Sequence, residues 1–489
     1  MVVKKNLSIS FISPEALPFV KTGGLADVVG SLSRQFKLLD LDVEVFLPFY
    51  KQIKEKNPGS KVVFEQLSAK LGYREIYFCL RKTSYQGVDF YFVDNEDFFH
   101  RDNLYGTSFG DYPDNLIRFA FFSKAVLVSL IALNSKPDII HSNDWQTALV
   151  PFYMRKDRDV SKFFGRSRSL FTIHNLAYQG IGPSDTLPLL GIDYDFFTPG
   201  YFEFYGKINL MKAGIIFSEV ISTVSKGYAR EILTEEFGCG LQGLLQKRKN
   251  DIYGILNGAD YSLWDPAKDN YIAANYNQES LSNKYLCKKD LLHEVGLDYS
   301  YTGPLLGVIS RLAKQKGIDV LISAMHDIVR AGYKIIILGT GEERYQQALW
   351  ELSRIYPDKI AVRVAFDDSL AHKIEAGCDL FLMPSEYEPC GLNQMYSLKY
   401  ATPPVVRAVG GLDDTVIDYT QSPLRGNGFK FRRPEAGDFL NALHRAVDVY
   451  NNKDKWRELT VRAMSFDFSW EVSAGQYVNL YRKIIKGES

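Results

Sequence analysis

Short apolar, β-branched runs alternate with longer segments of helical period along the whole chain. This alternation restricts the fold more than any other feature. In the first half the runs are 7–12, 43–47, 88–93, 138–141, 170–174 and 220–224; in the second half they are 305–310, 334–339, 360–365, 380–385 and 404–408. Continuous apolar runs bounded by turn residues fit parallel strands covered on both faces. Their alternation with helices predicts an α/β protein with two βαβ sheets. At 489 residues the chain is too long for one core, so two domains of roughly 200–250 residues are expected. The change-over is placed near 247–253, where a charged run precedes the Asn257-Gly258 turn, although a solvated loop inside one domain has the same composition. The expected domains are 1–248 and 249–463. The remaining segment, 464–489, carries Val472, Tyr477, Leu480, Tyr481 and Ile484 at helical spacing and reads as a docked terminal helix.

Several classes of function fall away. Lys plus Arg equals Asp plus Glu at 58 each, and no long basic tract offers the footprint of a nucleic-acid binder. The five Cys are scattered without a CxxC pair, which argues against a disulfide framework or zinc site and for a reducing, cytoplasmic compartment. At the N-terminus, Lys4 and Lys5 precede an apolar run too short for a signal peptide, so a buried first strand is expected. No stretch is read as approaching the roughly 18 apolar residues of a membrane span, and no membrane partner is expected.

Ligands of open α/β sheets bind beyond the carboxyl ends of the strands, so the motifs that follow strand ends carry the chemistry. Lys21-Thr22-Gly23-Gly24-Leu25-Ala26-Asp27 follows the first strand and opens a helix. Glycines let a ligand approach the backbone, the helix start offers amides and partial positive charge, and Lys21 adds a full charge. The run is neither GxGxxG nor GxxxxGK[ST], so no dinucleotide fold or P-loop is indicated; a plain glycine turn before a helix reads the same way. His174 stands at a strand end, with Asn175 and Gln179 able to donate to sugar hydroxyls; a lone histidine is also a common structural residue. Arg311 and Lys316 straddle a turn after the strand 305–310, which suits a diphosphate or simply a solvated helix start. Glu388, Pro389, Cys390 and Gly391 follow the strand 380–385 and expose amides near Leu392 and Asn393 at a helix start, where Glu388 can orient hydroxyls or merely cap.

Taken in order, the segments KTGGLADVVGSL, HSNDWQTAL, TIHNLAYQG, NGAD, SRLAKQKG, EPCGLNQMYSLKYATPPVVRAVGGLDDTV and the final FSWE resemble bacterial glycogen synthase and plant starch synthase over nearly the whole chain. The resemblance implies the GT-B fold: two Rossmann-like domains with parallel sheets facing across a deep cleft, the last helix returning to the N-terminal domain. It implies retaining transfer of glucose from ADP-glucose to the non-reducing end of an α-1,4-glucan such as glycogen, with no metal and no cofactor. By the same resemblance Arg311 and Lys316 neutralise the departing ADP, with Lys21, Gly23 and Gly24 on the same phosphates. Glu388 orients the glucose, and Cys390, Gly391, Leu392 and Asn393 hold the distal phosphate. His174 lies against the transferred sugar. Asp27, Tyr105, Asp144, Asn175 and Asn257 line the pocket, and Phe366 stacks on adenine. Many retaining transferases carry a second glutamate eight positions after the first; here that place is Tyr396, the pattern of the glycogen and starch synthases. A sucrose- or trehalose-type synthase, or a non-catalytic glucan-binding paralogue, is the competing expectation. The KTGGL segment argues against the former and the intact Lys21, His174, Arg311, Lys316 and Glu388 against the latter.

Overall fold

A computed structural model describes residues 6–56, 58–107 and 110–487 of the chain. Lys4 and Lys5 lie outside the described residues. The chain divides into two compact units, the first made of Met1–Val224, Ala229–Ile255 and Trp470–Ser489, the second of Ser225–Tyr228 and Leu256–Ser469.

The first unit is built on a nine-stranded sheet. Its strands are β1 (Ser8–Ile12), β2 (Asp42–Pro48), β3 (Lys61–Leu71), β4 (Arg74–Tyr85), β5 (Val88–Asp94), β6 (Ile139–Asn143), β7 (Arg168–Ile173), β8 (Val220–Thr223) and β9 (Ile252–Gly254). Their order across the sheet is β9-β8-β7-β6-β1-β2-β5-β4-β3. From β9 to β5 all pairs are parallel, and β4 and β3 continue antiparallel. The parallel strands coincide with the apolar runs because both their faces are covered: Phe11, Val45, Phe92, Ile140 and Phe171 are all buried. The hairpin β3–β4 escaped the sequence reading. Most of its residues are exposed or half-buried, so charged residues interrupt any apolar run. β9 completes this sheet, so the chain leaves the first unit after Ile255, a little beyond the boundary expected at 248/249.

The helix Asn115–Ala132 corrects one expectation. It is 18 residues long with a mean hydropathy of 1.6, enough to cross a membrane by length and composition, and 78% of it is buried inside the protein. It packs on β3, and its Arg118 is fully buried, donating to the carbonyls of Phe98 and Leu104. A core helix covered on all sides accounts for such composition.

The terminal helix Trp470–Lys486 packs on the helix Gly24–Leu38 through Phe36, Tyr477 and Tyr481. A buried polar chain fixes it. His141 Nδ1 lies 2.8 Å from the Tyr481 hydroxyl and its Nε2 2.5 Å from Thr172 Oγ1, which is 2.6 Å from Ser222 Oγ. Burial pushes the His141 pKa well below its ordinary value, so the ring is neutral and can donate on one side while accepting on the other.

The second unit holds a six-stranded parallel sheet of β10 (Leu305–Ile309), β11 (Lys334–Leu338), β12 (Ile360–Arg363), β13 (Leu380–Met383), β14 (Pro404–Arg407) and β15 (Phe429–Phe431). The order β12-β11-β10-β13-β14-β15 is the 3-2-1-4-5-6 arrangement of a Rossmann sheet. Its core joins Val308, Ile335, Ile337, Leu382 and Val405 with Leu321, Ile328 and Leu443 from the helices. All five cysteines are free.

Tyr481→Phe is expected to leave His141 Nδ1 buried without a partner and to cost about 1–3 kcal/mol. Urea unfolding monitored by tryptophan fluorescence measures it; an unchanged midpoint would show that the chain contributes nothing to anchoring the helix.

Candidate functional site

In the first unit β1 has β2 on one side and β6 on the other, so the loops beyond β1 and β6 diverge. Such a switch point is where open α/β sheets receive ligands. The predicted residues of this unit follow four strands: Lys21, Gly23, Gly24 and Asp27 run from the loop after β1 into the helix Gly24–Leu38, Tyr105 comes after β5, Asp144 after β6, and His174 and Asn175 after β7.

Lys21 Nζ pairs with Asp27 Oδ1 at 2.9 Å on the surface. The amides of the glycine loop are less available than the sequence reading supposed. Glu15 is buried, and its carboxylate accepts from Thr22 N at 2.5 Å, Thr22 Oγ1 at 2.8 Å, Gly23 N at 3.3 Å and the Tyr105 hydroxyl at 3.0 Å. The helix has no side-chain cap of its own, and Glu15 serves in its place, leaving the amides of Gly24 and Leu25 to meet a ligand. A Cβ built on Gly23 or Gly24 meets nothing within 4 Å, and neither has positive φ. Internal packing therefore does not require these glycines.

Asp144 takes a positive φ of 56° as the chain turns off β6. Its Oδ1 accepts from the backbone N–H of His174 at 2.8 Å and of Asn175 at 3.4 Å, which fixes the end of β7. Burial pushes the Asp144 pKa up to about 7, against the lowering effect of those two amides, and brings His174 down to about 3. His174 is therefore neutral at physiological pH. Its Nε2 is 2.9 Å from Asn143 Oδ1. Asn175 Oδ1 accepts from Ala177 N. Gln179 is a structural residue rather than a sugar donor: its Nε2 donates to the carbonyls of Leu176 and Cys239, and its Oε1 accepts from Asn209.

In the second unit the switch point falls between β10 and β13. Arg311 and Lys316 follow the former and Glu388 the latter. Gly317, at φ +66°, seats the turn against Pro384, where any Cβ would collide with the Pro384 carbonyl oxygen. That close approach brings Lys316 Nζ to 2.5 Å from Glu388 Oε2, a carboxylate that also accepts from Ser385 Oγ at 3.1 Å. Glu388 is buried, and Lys316 is largely so. Glu388 is thus no simple cap. Arg311 is exposed and donates to Gln315 at 2.9 Å.

The neighbouring predictions fare differently. Gly391 has φ +72°, the left-handed region where glycine is favoured. Cys390 is buried and its thiol is pushed up by burial, so it is packing rather than a nucleophile. The Asn393 side chain is spent on the Ile309 carbonyl at 2.7 Å, tying the helix Asn393–Lys399, which starts just after Leu392, to the end of β10. Asn257 is buried, and its Oδ1 has no hydrogen-bond partner among the described residues. Phe366 is 78% exposed beyond β12, presenting its ring to solvent. Tyr396 stacks on Trp264, centroids 4.4 Å apart and planes within 7°, and Trp264 stacks in turn on His372 at 3.8 Å. Glu15, Asn143 and the Trp264–His372 stack were not foreseen. Glu15 stands just beyond a strand end, which was signal enough; the others depend on contacts distant in sequence.

The Asp144 pKa gives a pH prediction. A carboxyl whose folded pKa lies above its unfolded value of about 3.9 binds its proton more tightly when folded, so stability falls as pH rises from about 4 to about 7 and is level above. Asp144→Asn keeps the acceptor for both amides and removes this loss. Its melting temperature relative to the parent is expected to be higher at pH 8 than at pH 5; an equal difference at both would contradict the shift.

Known proteins resemble the chain over nearly its whole length. Residues 8–247 match the family model for the starch synthase catalytic domain, and residues 300–460 that for glycosyl transferases group 1. Glycogen synthase from Geotalea daltonii is 43% identical over 479 residues, 98% of this chain and 99% of that protein. Glycogen synthase from Koribacter versatilis is 44% identical over 479 residues, 98% of each. The catalytic domain of starch synthase IV from Arabidopsis thaliana, solved bound to ADP and acarbose, superposes with a TM-score of 0.90 at 32% identity, over 98% of this chain and 100% of that one. A sucrose-phosphate synthase from Thermosynechococcus elongatus, at 16% identity and a TM-score of 0.61, shares the fold alone.

Proposed function

The chain belongs to the starch and glycogen synthase family, and from that membership we propose that it transfers glucose from ADP-glucose, with retention, to the non-reducing end of an α-1,4-glucan. The observation that carries this reading is the Lys316–Glu388 pair at the switch point of the second sheet. A buried carboxylate beside a cation is what a nucleotide sugar needs, since one end offers hydroxyls and the other phosphates. On donor binding, glucose hydroxyls take over Glu388 and the diphosphate takes over Lys316, with Arg311 adding charge from its exposed position. In the first unit, Lys21 and the amides of Gly24 and Leu25 offer a place for an anion of their own, once Lys21 exchanges Asp27 for it. Phe366 supplies a face for the base, and in the first unit neutral His174 offers a polar contact to a sugar hydroxyl.

Cleaving the anomeric C–O bond builds an oxocarbenium-like centre and a charged leaving group. Fixed cations and amides stabilise the latter. In the proposed step the glucan O4 attacks from the side the phosphate leaves. The new C–O bond forms as the old one breaks, the hydroxyl proton passes to the leaving phosphate oxygen, and ADP departs. Trapping a glucosyl adduct on an Asp or Glu would overturn this step. Cationic side chains take the part a divalent ion plays elsewhere, so a chelator is expected to leave turnover unchanged.

The direct test is release of ADP from ADP-glucose in the presence of glycogen, with UDP-glucose a poor donor; equal use of both would contradict the assignment of the base. A monosaccharide acceptor used as well as glycogen would favour the small-acceptor synthases instead. Glu388→Gln keeps an acceptor for Ser385 and Lys316 but removes the charge, and turnover is expected to fall by about 100-fold or more with the fold intact by circular dichroism; near-normal turnover would refute the role. Gly23→Ala meets no neighbour in the protein, so it should melt with the parent yet raise the donor KM by about tenfold, because the space serves the ligand. An unchanged KM would reduce the glycine loop to a turn.

A further inference from the structure

The hydrogen bonds of Asn143 settle a question the sequence left open: which nitrogen of His174 carries the proton. Asn143 is buried at the end of β6. Its Nδ2 donates to the carbonyl oxygens of Ile12 at 3.1 Å and His141 at 3.3 Å, its backbone N–H donates to Thr147 Oγ1 at 2.6 Å, and its own carbonyl accepts from the same hydroxyl at 2.8 Å. Two carbonyl oxygens fix the orientation of the amide, because turning it over would set Oδ1 against both of them. Oδ1 therefore faces His174 Nε2, 2.9 Å away. An amide oxygen only accepts, so Nε2 carries the hydrogen. The backbone on the other side is held as well, by Asp144 Oδ1 on the His174 N–H.

We propose that Asn143 is a positioning residue that locks His174 in the Nε2–H tautomer, so that Nδ1 presents a lone pair to a hydroxyl of the sugar. Nδ1 makes no hydrogen bond to any described residue. The proposal rests on the transferase reading for the identity of its ligand, but the tautomer is independent of it. Asp144 lies under the backbone amides, with Glu15 close enough to interact with it, and neutral His141 stands two residues before Asn143 on β6. No cation among the described residues pairs with the ring, and burial depresses its pKa, so the lone pair stays available throughout the working pH range. An Nδ1–H ring would instead turn a donor toward the sugar and leave Nε2 and Asn143 Oδ1 as two facing acceptors. Fixing the tautomer through a partner on the far nitrogen is a general device for histidines in active sites.

Nitrogen-15 NMR of the full chain labelled at its seven histidines, with His174→Gln used to assign the signal, reads the tautomer directly. The expected spectrum has a protonated Nε2 and an unprotonated Nδ1, unchanged from roughly pH 5.5 to 8.5. A protonated Nδ1, or an imidazolium that titrates in this range, would overturn the proposal. Asn143→Leu removes the acceptor and is expected to mix the tautomers and lower kcat by about 10- to 100-fold, the cost of losing a group that orients another, with less change in KM. Asn143→Asp is the second variant; it exchanges the donor to Ile12 and His141 for an oxygen, so it too is read only where circular dichroism shows the parent fold. It keeps an acceptor but adds charge, so the His174 pKa should rise and the acid limb of the kcat profile move to higher pH. Wild-type tautomer, kcat and pH profile in both folded variants would sink the positioning role. The expected tautomer in a protein with no transferase activity would support the lock and overturn the functional reading instead.

Discussion

Parallel strands run one way, so their carboxyl ends share one edge of a sheet, and every loop that leaves that edge can contribute to one site. The rest of this protein's chemistry depends on that constraint. The apolar residues of β1, β6 and β7 in the first unit, and of β13 and all but the last of β10 in the second, are buried. The charged and ligand-facing residues follow the strand ends: Lys21, Asp144, His174, Lys316 and Glu388. In each unit the strand order reverses beside the first strand, and the diverging loops leave a place for a ligand that the chain need not carve out separately.

At those edges the charges are balanced within the protein. Lys21 pairs with Asp27, and Lys316 with Glu388. The two pairs differ in character. The first is exposed and worth little to stability, so Lys21 is readily given up to a phosphate. The second is buried, where removing one partner strands the other at considerable cost. A ligand that brings hydroxyls and phosphate together replaces both partners at once, whereas phosphate alone must leave Glu388 without its cation. Glu15 works differently: by taking the amides of Thr22 and Gly23 it shapes the loop and withdraws them from ligand binding.

Much of this was legible beforehand. The apolar runs located the parallel strands because a strand buried on both faces is mostly apolar and admits polar residues only where they pair, as His141, Thr172 and Ser222 do, and strand ends located the motifs. The β3–β4 hairpin was hidden because Lys61, Glu65, Arg74 and Glu75 break its pattern on an open face. The helix Asn115–Ala132 was underestimated because its Arg118 and Lys124 interrupt the apolar run, although both are buried. Within the site, residue types were readable and their partners were not. Nothing local predicts that Asn393 is spent on Ile309, that Gln179 is satisfied by Asn209, or that Tyr396 stacks on Trp264, since each contact joins segments far apart in the chain.

The central claim is that Glu388 holds Lys316 until a donor exchanges both, and ADP affinity measured by calorimetry tests it most directly. ADP brings the phosphates without the sugar, so the carboxylate opposes it. The account predicts that Glu388→Gln binds ADP more tightly than the parent and Lys316→Met more weakly, the glutamine effect vanishing when the lysine is already gone. Weaker ADP binding by Glu388→Gln, or a glutamine effect that persists without Lys316, would contradict it.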